Sequence, residues 1–100
     1  MEYTNQTVEN LLRNYYSLQG YMGSEFADVK LDLYKSLMMM KRHDKALYST
    51  IVNVFVNGVP IQEQAESDGI TSRQVSRRLH DGLIVLTMIM NGELYAGGYQ

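Results

Sequence analysis

The chain has 100 residues, a net charge of −2 and no cysteine. This length suits one domain with one hydrophobic core, and an apolar content of 45% argues against a disordered chain. The lack of cysteine excludes disulfides, thiol catalysis and cysteine-ligated zinc. The polar start MEYTNQTVEN has no secretory signal, and the run LIVLTMIM is far shorter than the roughly 20 residues of a membrane span. We therefore expect a cytoplasmic protein outside the membrane.

The first 43 residues are predicted to form two helices. Apolar residues recur at helical spacing within 7–22, and Gly20 and Gly23 are expected to stop this helix. Ser24 is the expected cap of the second helix. Its predicted buried stripe is Phe26, Val29, Leu33, Tyr34, Leu37 and Met40. The polar stretch KRHD, residues 41–44, is a plausible connector.

The segment KALYSTIVNVFVNG, residues 45–58, is compatible with a helix or a strand. Its β-branched residues favour a strand by propensity, whereas Leu47, Ile51 and Phe55 follow helical spacing. We predict a helix, because the segment is long for one strand and no pairing partner lies nearby. Asn57-Gly58 is expected to end it.

Two further helices are predicted around a glycine turn. Pro60 suits the first turn of a short helix, which Gly69 breaks. Thr71 or Ser72 is expected to cap the last helix, and Asn91-Gly92 to stop it. The predicted buried stripe of the last helix is Val75, Leu79, Gly82, Leu83, Leu86 and Met90.

These elements predict an all-α protein of about five helices with a C-terminal helix-turn-helix. Residues 1–43 form an N-terminal helical segment, residues 44–91 the helix-turn-helix region, and residues 92–100 a flexible tail. We expect the whole chain to fold as one domain.

The arginines at the start of the last helix are the candidate functional residues. A short helix, a glycine turn and a helix that begins with basic residues make a helix-turn-helix pattern, whose second helix enters the DNA major groove. Arginine can bond guanine, and glutamine adenine, through two parallel contacts. The candidate DNA contacts are Ser72, Arg73, Gln74, Ser76, Arg77 and Arg78. The alternative is a solvated helix whose arginines pair with Glu63, Glu66 and Asp81.

The stretch NGVPIQEQAESDGITSRQVSRRLHDGLIVL carries a resemblance that covers roughly residues 44–91. The residues concerned are Gly58, Ala65, Glu66, Gly69-Ile70-Thr71, Val75 and Arg78-Leu79-His80. The stretch resembles the fourth conserved region of bacterial sigma factors and related small phage regulators of the ArpU and RinA kind. This resemblance implies a helical domain whose last helix reads promoter DNA and whose neighbouring surfaces touch RNA polymerase. It places Arg73, Gln74, Arg77 and Arg78 at the DNA.

The resemblance has departures, and residues 1–43 carry none of it. Gln64 and the Ser67-Asp68 pair stand where the family usually has aliphatic residues. Ile84, Val85 and Met88 lie off the buried stripe of the last helix, so that this helix is apolar on both faces. Either the first two helices cover it, or a second subunit does so in a homodimer.

Residues typical of an enzyme are absent from the sequence. His43 and His80 are the only histidines, and neither belongs to a close cluster of metal-ligating residues. We find no nucleophile–base set and no glycine-rich phosphate loop. The sequence therefore predicts a protein without catalytic activity, cofactor or metal.

We interpret the chain as a sequence-specific, double-stranded DNA-binding regulator of transcription from a phage or mobile element. One alternative is a protein-interaction module that binds RNA polymerase or a sigma factor, as the acidic supporting helix and the departures at Gln64 and Asp68 suggest. Another is an oligomeric DNA-packaging component that assembles through GLIVLTMIM, residues 82–90.

Overall fold

The computed structural model describes residues 2–20 and 27–94, and within these ranges it contains helices and no strand. The elements are α1 (Asn5–Arg13), α2 (Tyr15–Gly20), α3 (Ala27–His43), α4 (Lys45–Ile51), a π-helical turn (Val52–Val56), α5 (Ile61–Asp68) and α6 (Ser72–Met90). The predicted all-α class is confirmed. None of the helices in the described ranges is long and apolar enough to cross a bilayer.

The first predicted helix is divided into α1 and α2, which brings the α-helices of the described residues to six instead of about five. Asn14 lies outside helical geometry, with φ −107° and ψ 20°. Its side-chain amide donates to the Asn10 carbonyl at 2.8 Å. An asparagine side chain that bonds a backbone carbonyl competes with the helical hydrogen bonds, and the helix ends there. The predicted stop at Gly23, the cap at Ser24 and the apolar Phe26 lie outside the described residues.

The buried stripe of α3 differs from the prediction at Tyr34 and at Val29, which is only partly buried. Leu33, Leu37 and Met40 are buried as predicted, but Tyr34 is 51% exposed. At 3.6 residues per turn, Tyr34 lies about 100° around the helix from Leu33. The core therefore covers the side of α3 that carries Leu33, and Tyr34 projects beside it.

The ambiguous third segment is helical, as predicted. The Asp44 carboxylate accepts from the Leu47 N–H at 3.1 Å and caps α4. The helix then widens into the π-helical turn, which the Asn57 N–H closes by bonding the Val52 carbonyl at 2.9 Å. Gly58 follows with φ 74°, so the predicted end at Asn57-Gly58 is confirmed.

The long α6 lies at the centre of the core and packs against α1, α3, α4 and α5. All of its predicted stripe residues are buried: Val75, Leu79, Gly82, Leu83, Leu86 and Met90. Val8 and Leu12 of α1 belong to the same hydrophobic cluster, so the N-terminal segment completes the core. Ile84, Val85 and Met88 are half-buried, and Val85 packs against the core. Coverage by neighbouring helices therefore accounts for much of the second apolar face of α6.

The two ends of the described chain are tied together. The Tyr3 N–H donates to Asn91 Oδ1 at 2.7 Å, and Asn91 Nδ2 donates to the Tyr3 carbonyl at 2.9 Å. The Tyr3 hydroxyl donates to Asp32 Oδ2 at 2.9 Å. Burial, together with this bond to a carboxylate, raises the pKa of Tyr3 to about 12. These bonds place the start of α1 beside the C-terminal end of α6.

The first residues of the predicted tail pack against the domain. The Glu93 N–H bonds the Met88 carbonyl at 2.8 Å, and the Gly92 N–H bonds the Ile89 carbonyl at 3.0 Å. This pair of bonds, with φ 74° at Gly92, is a Schellman helix end. Leu94 then packs against the core. The remaining tail, residues 95–100, lies outside the described residues.

Candidate nucleic-acid interface

The turn between α5 and α6 is a tight turn with a left-handed glycine. Gly69 is left-handed with φ 69°, its N–H bonds the Glu66 carbonyl at 3.3 Å, and the Ile70 N–H bonds the Ala65 carbonyl at 3.0 Å. These two bonds form a second Schellman end. The predicted break at Gly69 is confirmed, and its reason is steric, because a Cβ in this conformation costs about 1–2 kcal/mol.

A capping box holds the start of α6. Thr71 Oγ1 accepts from the Gln74 N–H at 3.1 Å, and Gln74 Oε1 accepts from the Thr71 N–H at 2.9 Å. Of the two predicted caps, Thr71 is therefore the correct one. The spacing T-x-x-Q is the sign of this motif in the sequence. Since the cap occupies Gln74 Oε1, a two-contact bond from Gln74 to adenine requires the cap to open.

Arg73 and Arg77 are exposed and lie one turn apart on the first half of α6. Neither forms an ion pair with any residue in 2–20 or 27–94. The predicted alternative, in which arginines pair with Glu63, Glu66 and Asp81, is therefore not the arrangement of these two side chains. Ser72 and Ser76 are exposed beside them. The four side chains give the start of α6 a polar surface with two uncompensated positive charges.

Arg78 differs from the other two arginines, because it is half-buried against α5. Its Nη1 lies 3.9 Å from Asp68 Oδ2. The same carboxylate oxygen accepts from Gln64 Nε2 at 2.9 Å, and Gln64 is only 4% exposed. Gln64, Asp68 and Arg78 thus form a polar link between the two helices. Gln64 and Asp68, two of the residues that depart from the aliphatic pattern of the resembled family, therefore bond to each other. Their i,i+4 spacing on α5 was readable from the sequence.

The Gln64–Asp68 bond leads to a stability prediction. Replacing Asp68 by alanine leaves the buried Gln64 amide without its acceptor, which costs about 1–3 kcal/mol of unfolding free energy. Gln64→Met removes the buried amide at similar volume and is expected to change stability by less than about 1.5 kcal/mol. The double variant Gln64→Met/Asp68→Ala should therefore be more stable than Asp68→Ala alone. Urea unfolding followed by circular dichroism measures these differences, and equal stability of Asp68→Ala and wild type would contradict the expectation.

The first turn of α6 also offers free backbone donors. An α-helix leaves its first N–H groups without intrahelical partners, and the helix dipole adds partial positive charge there. Anions bind at such positions. In α6 the side chains of Ser72 and Arg73 stand at this end, so the exposed cations and the backbone donors are directed at the same region.

Comparisons with known proteins found no match to this chain. No protein-family model matches the chain, and no curated protein or solved structure is significantly similar to it. The described residues also contain no group of three or more histidine, aspartate or glutamate side chains that could hold a metal ion. The resemblance of residues 44–91 to region four of sigma factors therefore stays a prediction from its motif residues.

Proposed function

We propose that this protein is a sequence-specific, double-stranded DNA-binding regulator of transcription that inserts the start of α6 into the major groove. The observation that carries the proposal is the pair Arg73 and Arg77, exposed one turn apart and without a partner in the described chain. They stand directly after a glycine turn that two Schellman bonds and a capping box hold in place. The proposed origin of the protein in a phage or mobile element rests on the family resemblance alone.

The proposed contacts divide between bases and phosphates. Arg73 and Arg77 each have a planar guanidinium that can bond O6 and N7 of guanine together. Ser72, with the free N–H groups of the first turn, suits a phosphate. Gln74 keeps its Nε2 donor free for a phosphate while its Oε1 serves the cap, and Ser76 can bond either. Arg78 would reach a phosphate only by turning away from Asp68, so its first role is to hold α6 against α5.

The negative charge of the chain does not oppose this function, because DNA affinity depends on where charges lie. The acidic Glu63 and Glu66 are on α5, the supporting helix, and are exposed. In the proposed complex they face away from the phosphates. Their presence restricts close approach to one side of the helix pair and would orient the protein on the duplex.

The competing proposal, a module that binds RNA polymerase or a sigma factor, rests on the acidic supporting helix and on the departures at Gln64 and Asp68. The bond between Gln64 and Asp68 weakens the second reason, because the buried Gln64 amide has an acceptor, whereas the acidic helix remains as a reason. The resemblance still names RNA polymerase as a second partner class. Contact with it would use surfaces other than Arg73 and Arg77.

Selection from a random duplex library, followed by anisotropy titrations at several salt concentrations, tests the proposal. We expect a common sequence among the retained duplexes. We also expect log affinity to fall as log salt rises, by about 0.9 for each phosphate that a cationic side chain neutralises. Failure to enrich any sequence, or an affinity independent of salt, would refute DNA reading by α6.

A further inference from the structure

The helix α3 carries a second apolar stripe beside its buried face. Ala27, Leu31, Tyr34 and Met38 follow one another at spacings of four, three and four residues. This spacing places them on one face over three turns of helix. Leu31 is 50% exposed and Tyr34 51% exposed, whereas Met38 is half-buried. We name these four residues the outer stripe.

The outer stripe contains two of the three large hydrophobic residues that are exposed in the described part of the chain. Tyr16 of α2, 67% exposed, is the third large exposed hydrophobic residue there, with Leu31 and Tyr34. Tyr16, Tyr34 and Met38 together line an open groove of about 190 Å³ between α2, α3 and α4. Contiguous exposed apolar residues of this kind mark interaction sites. The narrow four-three-four repeat is the pattern by which one helix packs along another.

We propose that the outer stripe pairs with the outer stripe of a second copy of this chain, with the two α3 helices antiparallel. In this arrangement a two-fold axis passes between Leu31 and Tyr34. Each Leu31 then faces the other copy's Tyr34, and each Ala27 faces the other copy's Met38. Every layer then joins a small or medium side chain to a larger one. A parallel pair would instead set alanine against alanine and tyrosine against tyrosine, leaving a gap in one layer and crowding another.

The charges beside the outer stripe select the same direction. Asp28 and Lys35 are exposed on one flank of it, and neither forms an ion pair within the described residues. In the antiparallel arrangement Asp28 of each copy lies beside Lys35 of the other, within about two residues along the axis, which gives two symmetric pairs. In a parallel pair the flank that carries Asp28 and Lys35 would face the opposite flank of the second copy, so these two residues would not pair. Complementary flanks of this kind set partner and orientation.

Sedimentation equilibrium of the full chain without DNA tests this inference. We expect a concentration-dependent monomer–dimer equilibrium with a dissociation constant below about 1 mM, which is the weak end of specific association. Asp28→Lys and Lys35→Asp are each expected to raise the dimer dissociation constant about tenfold or more, since each creates like-charged pairs at both symmetric positions. The double variant Asp28→Lys/Lys35→Asp restores the pairs and is expected to dimerise like wild type. An equimolar mixture of the two single variants is expected to form heterodimers.

A second variant separates the apolar contact from the charges. Leu31→Lys places a charge in the centre of the stripe and is expected to abolish the dimer, while thermal melting by circular dichroism should stay close to wild type because Leu31 is half-exposed. A wild-type chain that stays monomeric overturns the inference, and so does a dimer unaffected by Leu31→Lys. Single charge variants that weaken the dimer without recovery in the double variant overturn the antiparallel arrangement. These readings involve no DNA and leave the proposed function to its own test.

Discussion

The double variant Arg73→Ala/Arg77→Ala is expected to bind its selected duplex about 2–6 kcal/mol more weakly than the wild-type chain. Each arginine that reads a base contributes about 1–3 kcal/mol, and the two contacts involve different base pairs, so their losses should add. The slope of log affinity against log salt should change little if both side chains read bases. It should fall by about 0.9 for each one that contacts a phosphate instead. Anisotropy titration of both proteins over a salt series gives both quantities.

A charge-matched control isolates these side chains from the total charge. Asn5→Glu/Gln6→Glu also lowers the net charge by two, at exposed positions on the first turn of α1. The Tyr3–Asn91 bonds place that turn at the C-terminal end of α6, about 28 Å from its start for a 19-residue helix. We expect this variant to bind almost like wild type. Wild-type affinity in the double arginine variant would end the proposal that α6 reads DNA.

Replacing Arg73 by lysine distinguishes a contact to a base from an interaction that needs only the positive charge. Arg73→Lys keeps a positive charge but loses the planar fork that bonds guanine at two points. If Arg73 reads a base, we expect Arg73→Lys to lose discrimination between the selected duplex and a variant duplex while retaining most of the affinity for unrelated DNA. Retained discrimination would assign Arg73 to a phosphate.

Gly82→Leu is expected to lower the unfolding free energy by about 3 kcal/mol or more, because α4 crosses α6 at this glycine. A Cβ at Gly82 would lie 2.9 Å from Ile51 Cγ1 and 3.0 Å from Ile51 Cδ1. Ile51 is fully buried, so it can make room only by moving against packed neighbours. Overpacking of this kind costs about 1–3 kcal/mol and sometimes more. Gly82→Ala has a smaller clash, which its better helix propensity of about 1 kcal/mol partly offsets.

Urea denaturation with two companion variants checks this expectation. His80→Leu adds a leucine to the same helix at an exposed position and should change stability by no more than about 0.5 kcal/mol. Ile51→Ala removes the atoms that a Cβ at Gly82 would meet, so Ile51→Ala and Gly82→Ala should couple favourably by about 0.5–3 kcal/mol. A Gly82→Leu protein as stable as wild type would mean that α4 and α6 are not in close contact here.

The α5–turn–α6 region was the most predictable part of the molecule. The glycine after α5, the threonine before α6 and the apolar spacing along α6 all act over a few residues, so their consequences are visible in the sequence. Gly69, Thr71 and the stripe from Val75 to Met90 therefore lie as expected. The exposure of Arg73 and Arg77 followed from the same periodicity.

The part of the site that could not be predicted concerns pairs of residues distant in sequence. The link from Asp68 to Arg78 depends on the angle at which α5 meets α6, and this angle separates Arg78 from the other two arginines. The Asp68 carboxylate also accepts a hydrogen bond from the buried Gln64 amide, so the burial of Gln64 leaves no polar atom without a partner. From sequence spacing alone, all three arginines were equivalent candidates for DNA contact, and Gln64 was expected to weaken the packing between α5 and α6.

Local sequence was thus sufficient for the all-α class, the glycine turn and the outward face of α6, because short-range backbone geometry and side-chain periodicity decide them. The tertiary structure decided which apolar faces meet. It left Tyr34 outside the core, brought Ile51 against Gly82 and joined Tyr3 to Asn91. Several helices of this chain are apolar on more than one side, and local propensity cannot rank those sides. Only the packing of all helices around α6 selects the side that is buried.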